Sequence, residues 1–316
     1  MPEENKELNK PHDSGYKYLL YSKKAFVQLI RSFVKTGWAE QVDEASLYRL
    51  DKSYILQDFK NKEADVVYQA KLKDKEVIFY VLLELQSTVD YLVPYRLLLY
   101  MIEIWRDILK NVSENEAKRK SFRLPVIVPL VLYNGQSKWN VPVNFKETLE
   151  SYEMFEDQVL NFKYILINVR SFQEEELINL SNLIGSVFFL DSSNNLAEII
   201  ERLKKLITIT KKMTPEEFSL FARWTENILT RGLSVKQKKM ITGFIEETRP
   251  EEVEEMITNV ERILQESLKE AEDKGEERGV EKGVLKVAKQ MLLKDEPIEK
   301  IMEYTGLSKE EIEKLK

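Results

Sequence analysis

The chain has 316 residues, and its 48 lysines and arginines against 54 aspartates and glutamates give a formal net charge of −6. It has no cysteine and a single histidine, His12, which excludes disulfides, thiol nucleophiles, iron–sulfur clusters, cysteine zinc sites and histidine-rich metal sites. Any catalysis must therefore use carboxylates, amides, lysine, tyrosine or hydroxyls, and any metal must be a hard cation held by oxygen.

The composition is that of a folded protein, with 43% hydrophobic and 10% aromatic residues. This length favours either one domain of about 200 residues with a smaller appendage or two domains. The overall charge does not indicate a polyanion partner such as DNA, although a local basic patch would be enough to bind one. The sequence has no apolar signal segment at its start and no apolar run of about 18 residues, so we predict a cytoplasmic protein without a membrane contact.

The first predicted element is an amphipathic helix over residues 16–34, ended by Gly37. Three strands follow at 54–59, 64–72 and 76–86, and the last of them is apolar on both faces, as expected for a central strand. A helix over 91–109, a polar linker, a buried strand over 124–135 and a short strand over 164–169 complete this part. The order predicts a mixed α/β sheet flanked by helices.

From Glu174 onward the pattern is helical throughout. Phe188, Phe221 and Trp224 fit a helical core better than a base-stacking platform. The apolar positions 253, 257, 260 and 264 form a coiled-coil-like seam on a long charged helix, which offers a contact for a homo-oligomer. Glycines at 275, 279 and 283 weaken that helix. Two short helices joined at Gly306, with Ser308 as N-cap of the second, are predicted at the end.

Two acidic residues on the predicted hairpin are candidates for a metal site. A tight loop centred between Asp74 and Lys75 places Asp65 directly opposite Glu84, with Cβ atoms about 4.5–5.5 Å apart. Gln86 follows two residues later and therefore points to the same face. Like charges directly opposed on paired strands are destabilising, and burial of an unpaired carboxylate is costly, so a bound divalent cation would offset both penalties.

A structural alternative stays open for this acid pair. Glu84 can lie near the open end of its strand, solvated or paired with an arginine, while Asp65 merely ends a loop. The turn also lacks the glycine preferred in two-residue turns, and a loop of odd length would put the two acids on opposite faces.

Several stretches resemble the Rpn family of recombination-promoting nucleases, also called YhgA-like transposases, within the PD-(D/E)XK nuclease superfamily. They are PHDSGYKYLL with His12 and Lys17, ADVVYQ with Asp65, LLELQS with Glu84 and Gln86, PYRLLLYM with Arg96 and Tyr100, and LPVIVPLVLYNG. The C-terminal stretch from Glu281 is also similar to the tails of such proteins. Each motif alone is weak, but their order extends over almost the whole chain.

The resemblance implies a PD-(D/E)XK-like fold and a DNA endonuclease that requires a divalent metal, usually Mg²⁺. It implies that Asp65 and Glu84 bind the ion and that the Gln86 side chain or a neighbouring carbonyl completes the shell. The ion would polarise the phosphodiester, lower the pKa of a bound water and stabilise the charge that develops in the transition state. Gln86 departs from the superfamily signature, which has lysine at this position, and an amide orients a water without supplying a positive charge.

Other side chains could support such a site. Lys71 or Arg96 could replace the missing lysine from a neighbouring element. Arg96 and Tyr100 are four residues apart on one helix face, within reach of a phosphate, although Arg96 could instead pair with Glu103 and Tyr100 could lie in the core. His12 and Lys17, around the start of the first helix, are candidate phosphate contacts, and His12 could equally be a structural hydrogen-bonding residue.

The sequence therefore predicts a nuclease-like domain over 11–175, a helical region over 176–250 and a charged helical tail over 251–316. The predicted function is metal-dependent hydrolysis of DNA, connected with recombination or mobile elements. Two alternatives stay open: a catalytically silent member that binds DNA or a protein, and an oligomeric scaffold acting through its helical tail.

Overall fold

A five-stranded mixed sheet forms the centre of the computed structural model, which describes residues 15–50, 66–73, 75–84, 89–230 and 233–315. Its strands, in spatial as well as chain order, are β1 (Tyr48–Arg49), β2 (Val66–Leu72), β3 (Lys75–Glu84), β4 (Val126–Tyr133) and β5 (Ile165–Asn168). The pairs β1–β2 and β2–β3 are antiparallel, whereas β3–β4 and β4–β5 are parallel.

Helices cover both faces of this sheet. A helical segment at 15–20 precedes α1 (Lys23–Phe33), and α2 (Val93–Asn111) crosses from β3 to β4, followed by the short α3 (Glu114–Ala117). The remaining described helices follow β5 and are α4 (Glu174–Asn179), α5 (Leu183–Asp191), α6 (Leu196–Thr210), α7 (Pro215–Leu229), α8 (Val235–Glu247), α9 (Val253–Leu292), α10 (Ile298–Thr305) and α11 (Lys309–Glu313). The expected α/β sheet with a helical C-terminal part is confirmed.

Three details of the prediction are wrong or incomplete. The first helix is not continuous, because the chain bends at Tyr21 and restarts with the Ser22 hydroxyl accepting a hydrogen bond from the Ala25 N–H at 3.4 Å. It ends at Phe33, since Val34 is already extended, and Gly37 lies beyond it. The edge strand β1 was missed, and the strand predicted at 54–59 lies outside the described residues.

The alternation of side chains along β2 and β3 separates two hydrophobic cores. Tyr68 and Phe79 belong to the core shared with α1 and the later helices, and the Phe26 ring lies 4.4 Å from that of Tyr68. Tyr80 belongs to the other core, beneath α2, where its ring centroid lies 4.9 Å from that of Tyr100. Strand β3 is therefore covered on both sides, as its uninterrupted apolar sequence predicts.

The first half of α9 belongs to the same core as the sheet. Its seam residues Val253, Ile257, Val260 and Leu264 are between 0% and 3% exposed and pack with α6 and α8 of the same chain. The seam is thus occupied within the chain, and the expectation that it offers a dimer contact is wrong for these four residues. The division into domains at 175 and 250 stays a prediction.

The end of the chain forms a small third core of Ala288, Ile301 and Ile312. Gly306 adopts a left-handed φ of 70° after α10, and the Ser308 hydroxyl caps α11 together with Glu311, as the sequence predicts. Helix α9 continues through Gly275, Gly279 and Gly283 without a break. Among the described residues, no helix combines the length and apolar character needed to cross a membrane.

Candidate functional site

The carboxyl ends of three parallel strands meet at one edge of the sheet. Glu84, the last residue of β3, pairs in register with Tyr133 of β4, and Tyr133 pairs with Asn168 of β5. In open α/β sheets this edge is where ligands bind, because loops of differing direction leave a crevice there. Glu84 is therefore at the position that the fold favours for a site.

The other predicted core residues of this site lie outside the described residues. These are Asp65, Gln86 and His12, and for Glu84 only the backbone is described. Asp65 directly precedes Val66, the first residue of β2, which pairs with Val81 of β3. The described β2–β3 pairing thus ends one residue after Asp65 and three residues before Glu84 in the sequence.

The predicted register of the hairpin is wrong by two residues. Leu72 pairs with Lys75 and Lys71 with Glu76, so the turn is centred between Lys73 and Asp74 rather than between Asp74 and Lys75. Lys73 adopts a φ of 47°, which a two-residue hairpin turn requires and which a lysine does not signal in a sequence. A shift of two residues changes which residues are opposed but leaves each described position of β2 and β3 on its predicted face.

Arg96 lies in the first turn of α2, directly after the loop that follows β3. Its guanidinium is 3.4 Å from the Asp90 carboxylate, and its side chain is only 11% exposed. Asp90 also accepts a hydrogen bond from the Leu92 N–H at 2.9 Å, so it holds the start of the helix and the arginine together. Arg96 is therefore held at the start of α2 by Asp90, whereas Glu103 pairs with Arg106.

Tyr100 lies one turn further along α2 and is buried in the core beneath it. Its ring contacts that of Tyr80, which precedes Glu84 by four residues on β3. The core placement that the sequence left open for Tyr100 is the one observed. Tyr100 therefore supports the strand that carries Glu84.

Lys71 is far from this edge. It pairs with Glu76 at the hairpin turn, eight residues before Glu84 on β3. At about 3.3 Å per residue this separates it from the end of β3 by roughly 26 Å. The expectation that Lys71 replaces the signature lysine is therefore wrong. Lys17 lies instead on the helical segment, with its ammonium 5.9 Å from the Tyr21 ring centroid.

A buried polar network adjoins the same edge and was not predicted. The Asp191 carboxylate accepts hydrogen bonds from the Tyr16 hydroxyl at 2.9 Å and from the Asn134 amide at 2.8 Å. Asn134 follows Tyr133 at the end of β4, and its carbonyl accepts a hydrogen bond from Arg170 at 3.0 Å. This network joins the helical segment, the ends of β4 and β5, and the end of α5.

The network has a marked electrostatic effect. Complete burial and the adjacent Asp191 charge raise the pKa of Tyr16 well above its ordinary value, while Arg170 opposes that shift. Tyr16 therefore keeps its proton at neutral pH and donates it to Asp191. The sequence contains no signal for this contact, because the two residues are 175 positions apart.

The described residues alone do not complete a metal site. Within residues 15–50, 66–73, 75–84, 89–230 and 233–315, no group of three or more acidic or histidine side chains is placed to hold a metal ion. The predicted ligands Asp65 and Glu84 supply carboxylate oxygens, which are the ligands that hard divalent cations prefer. Their donor chemistry therefore fits Mg²⁺.

The family model described as "Putative transposase, YhgA-like" matches residues 10–218. That match includes the sheet, the edge with Glu84, and the network around Asp191. This chain belongs to the YhgA-like transposase family.

Two proteins of Escherichia coli (strain K12) are similar to this family member. Recombination-promoting nuclease RpnA is 24% identical over 314 residues, which cover 97% of each chain. Recombination-promoting nuclease RpnC is 23% identical over 127 residues, which cover 40% of each chain. No solved structure matches. The resemblance predicted from the motifs is thus confirmed at the level of the family.

Proposed function

We propose that this YhgA-like protein is a divalent-metal-dependent DNA endonuclease of the PD-(D/E)XK type, linked to recombination or mobile elements. The observation that carries the proposal is the position of Glu84 at the carboxyl end of the central strand β3, in register with the end of β4. A relative matched over almost the whole chain carries the name recombination-promoting nuclease, which supports phosphodiester hydrolysis as the reaction. The proposed location is the cytoplasm.

In this proposal Asp65 and Glu84 hold one Mg²⁺ ion at the end of the β2–β3 hairpin. When bound, the ion supplies electrostatic stabilisation of the phosphate and acidifies a water molecule. Gln86 orients that water through its amide. The carboxylates and the amide provide oxygen donors only, which suits a hard cation and requires no histidine.

Arg96 supplies the positive charge that Gln86 lacks. Its guanidinium is held at the start of α2 by Asp90, and the side chain is largely buried. Little further conformational entropy is therefore lost when this arginine binds a phosphate. Tyr100 fixes β3 from below through Tyr80. Lys17 and His12 contact DNA near the helical segment.

The test compares two glutamates on the same strand. Supercoiled plasmid should be nicked or linearised by the wild type with Mg²⁺ and left intact with a chelator. Asp65→Ala and Glu84→Gln should remove this cleavage, whereas Glu76→Gln, at the exposed turn end of β3, should retain it. Cleavage that persists in Asp65→Ala protein with an unchanged circular dichroism spectrum would overturn the proposal.

A catalytically silent DNA- or protein-binding module is the second candidate. At position 86, where the superfamily signature has lysine, this chain has glutamine, which supplies no positive charge. Such a protein would shift DNA in a gel without cutting it under any divalent metal, and the Asp65→Ala variant would bind as the wild type does.

The third candidate is an oligomeric scaffold that acts through the C-terminal helices. Because Val253 to Leu264 belong to the main core, the segment available for self-association begins beyond Leu264. Val280 and Val287 on that part of α9 are 62% and 48% exposed. Light scattering on a chain ending at residue 274 should give fewer chains per assembly than the full chain gives. An unchanged number of chains would exclude this role for the tail.

A further inference from the structure

Two tyrosines beside the N-terminal helical segment each carry a cation over their ring. The Arg49 guanidinium lies 3.9 Å from the Tyr21 ring centroid, and the Lys17 ammonium lies 5.9 Å from it. The Arg223 guanidinium lies 4.2 Å from the ring centroid of Tyr18. We call these five residues the cation–tyrosine strip.

The strip is assembled from three distant parts of the chain. Lys17 and Tyr18 belong to the helical segment 15–20, Arg49 to the edge strand β1, and Arg223 to α7. The Tyr21 N–H donates to the Lys17 carbonyl at 3.0 Å, so the turn that joins them is helical. Tyr18 and Tyr21 are therefore neighbours at helical spacing, on one side of that turn.

Buried hydrogen bonds hold this segment in place. The Tyr68 hydroxyl lies 2.9 Å from the carbonyl oxygens of both Leu20 and Tyr21 and donates to them at the end of the segment. At its other end Tyr16 donates to Asp191. Tyr21, Arg49 and Arg223 are exposed, and Lys17 and Tyr18 are partly buried. The segment that carries the rings is thus fixed before any ligand binds, which lowers the entropic cost of binding.

A groove of about 690 Å³ continues from Tyr18 and Arg223 between α7 and the end of α8. Arg249 adds a further cation to its lining, while Phe218 and Pro250 supply apolar surface. Two acids also line it, and one of them, Glu226, accepts a hydrogen bond from Thr242 at 2.5 Å. The strip and the groove together offer cations next to flat ring surfaces.

We propose that the cation–tyrosine strip binds single-stranded DNA, an inference that rests on the proposed nuclease function. Arginine and lysine neutralise phosphates, and guanidinium planes and tyrosine rings stack on bases. Only unpaired bases expose the faces that such stacking needs, whereas a duplex would use the cations alone. The chemistry of the strip therefore favours an unpaired strand over a duplex.

The position of the strip suits a strand that leads into the candidate site. Arg49 pairs with Tyr68, and Tyr68 pairs with Phe79, five residues before Glu84 on β3. Along β3, the distance from Phe79, which is level with Arg49, to Glu84 is roughly 17 Å. Each strand of a duplex advances about 3.4 Å per phosphate and an extended single strand advances further, so no more than about five nucleotides span this distance. A strand held on the strip therefore reaches the end of β3 from the Tyr68 side of the sheet, opposite to the side covered by α2.

The test measures binding without cleavage. Fluorescence anisotropy of a labelled 20-residue oligothymidine and of a 20-base-pair duplex is recorded with a chelator present. Wild-type protein should bind the single strand more tightly, and Tyr21→Ala should weaken that binding about tenfold. Arg49→Gln and Arg223→Gln should each lower the slope of log affinity against log salt by about 0.7.

Tyr48 provides the matched control, because it is 67% exposed and directly precedes Arg49 on β1. It pairs with Gln69, which lines a cavity on the α2 side of the sheet, so Tyr48 lies on the face opposite to the strip. Tyr48→Ala should bind within about twofold of wild type. The urea midpoints of all variants show whether they remain folded.

Equal losses in Tyr48→Ala and Tyr21→Ala, or a duplex bound as tightly as the single strand, would overturn the inference. Arg49→Gln keeps the Tyr21 ring, so it tests the strip even if Tyr21→Ala does not fold. Plasmid cleavage alongside unaltered binding by every strip variant would refute the strip and leave the nuclease proposal intact. If the wild type binds the single strand through the strip but does not cut plasmid, the nuclease proposal would be refuted and the strip would stand.

Discussion

The hydrogen bond between Tyr16 and Asp191 gives the sharpest prediction about stability. Tyr16 is fully buried, and its hydroxyl donates at 2.9 Å to a carboxylate that is 6% exposed. Hydrogen bonds to charged groups contribute about 1.5–3 kcal/mol. Tyr16→Phe keeps the ring contacts with Phe188 and Trp224, both at 6.1 Å between centroids, so the loss measures the hydroxyl alone. We expect the free energy of unfolding to fall by about 1.5–3 kcal/mol.

Urea unfolding followed by both tryptophan fluorescence and circular dichroism provides the assay, since coinciding transitions support a two-state analysis. Tyr164→Phe serves as control, because the hydroxyl of this equally buried tyrosine accepts a hydrogen bond from the neutral Trp139 indole at 3.1 Å and donates to the neutral Val141 carbonyl at 3.4 Å. It should cost only about 0.5–1.5 kcal/mol. Combining Tyr16→Phe with Asp191→Asn should give a loss smaller than the sum of the single losses. A loss below about 0.5 kcal/mol for Tyr16→Phe, or strict additivity, would refute this reasoning.

Three further predictions concern packing, pH and the hairpin. Gly185→Ala should destabilise the chain by about 1–3 kcal/mol, because the new Cβ would lie 2.8 Å from the Leu177 carbonyl. Gly243→Ala, with open space around it, should stabilise the chain in the same urea assay. Burial raises the pKa of Tyr68 to about 12, so the folded chain binds this proton more tightly than the unfolded chain does. The resulting contribution to the free energy of unfolding is fully present below a pH of about 10 and is lost as the pH rises toward 12. Tyr68→Phe should make that fall in the urea midpoint shallower. Lys71→Ala should leave plasmid cleavage within about twofold of wild type, since Lys71 lies at the turn end of the hairpin.

Patterns local in the sequence predicted the described strands well. The apolar run that ends at Glu84 is a central strand, and the apolar run predicted over 124–135 contains β4, which ends at Tyr133. The cap at Ser308 follows from its spacing to Glu311. By contrast, the hairpin turn was misplaced because Lys73 adopts a left-handed conformation that its residue type does not indicate.

Contacts between distant residues were beyond sequence reasoning. Asp191 ends a helix that is apolar on every side, so no periodicity distinguishes it from a solvated terminal acid. Its contact with Tyr16 exists only because α5 packs beside the helical segment. The seam of α9 was misjudged for the same reason, since an apolar stripe fits an intramolecular partner as well as a second chain. The candidate metal ligands Asp65, Glu84 and Gln86 stay predictions from the motif.

Titration calorimetry with Mg²⁺ tests the central claim most directly, because it detects the ion without requiring cleavage. Wild type and Glu76→Gln should each bind one ion per chain at the proposed site, and Asp65→Asn and Glu84→Gln should weaken that binding at least tenfold. Identical titrations of all four proteins, or no heat of binding in the wild type, would contradict the metal site and with it the proposed hydrolysis.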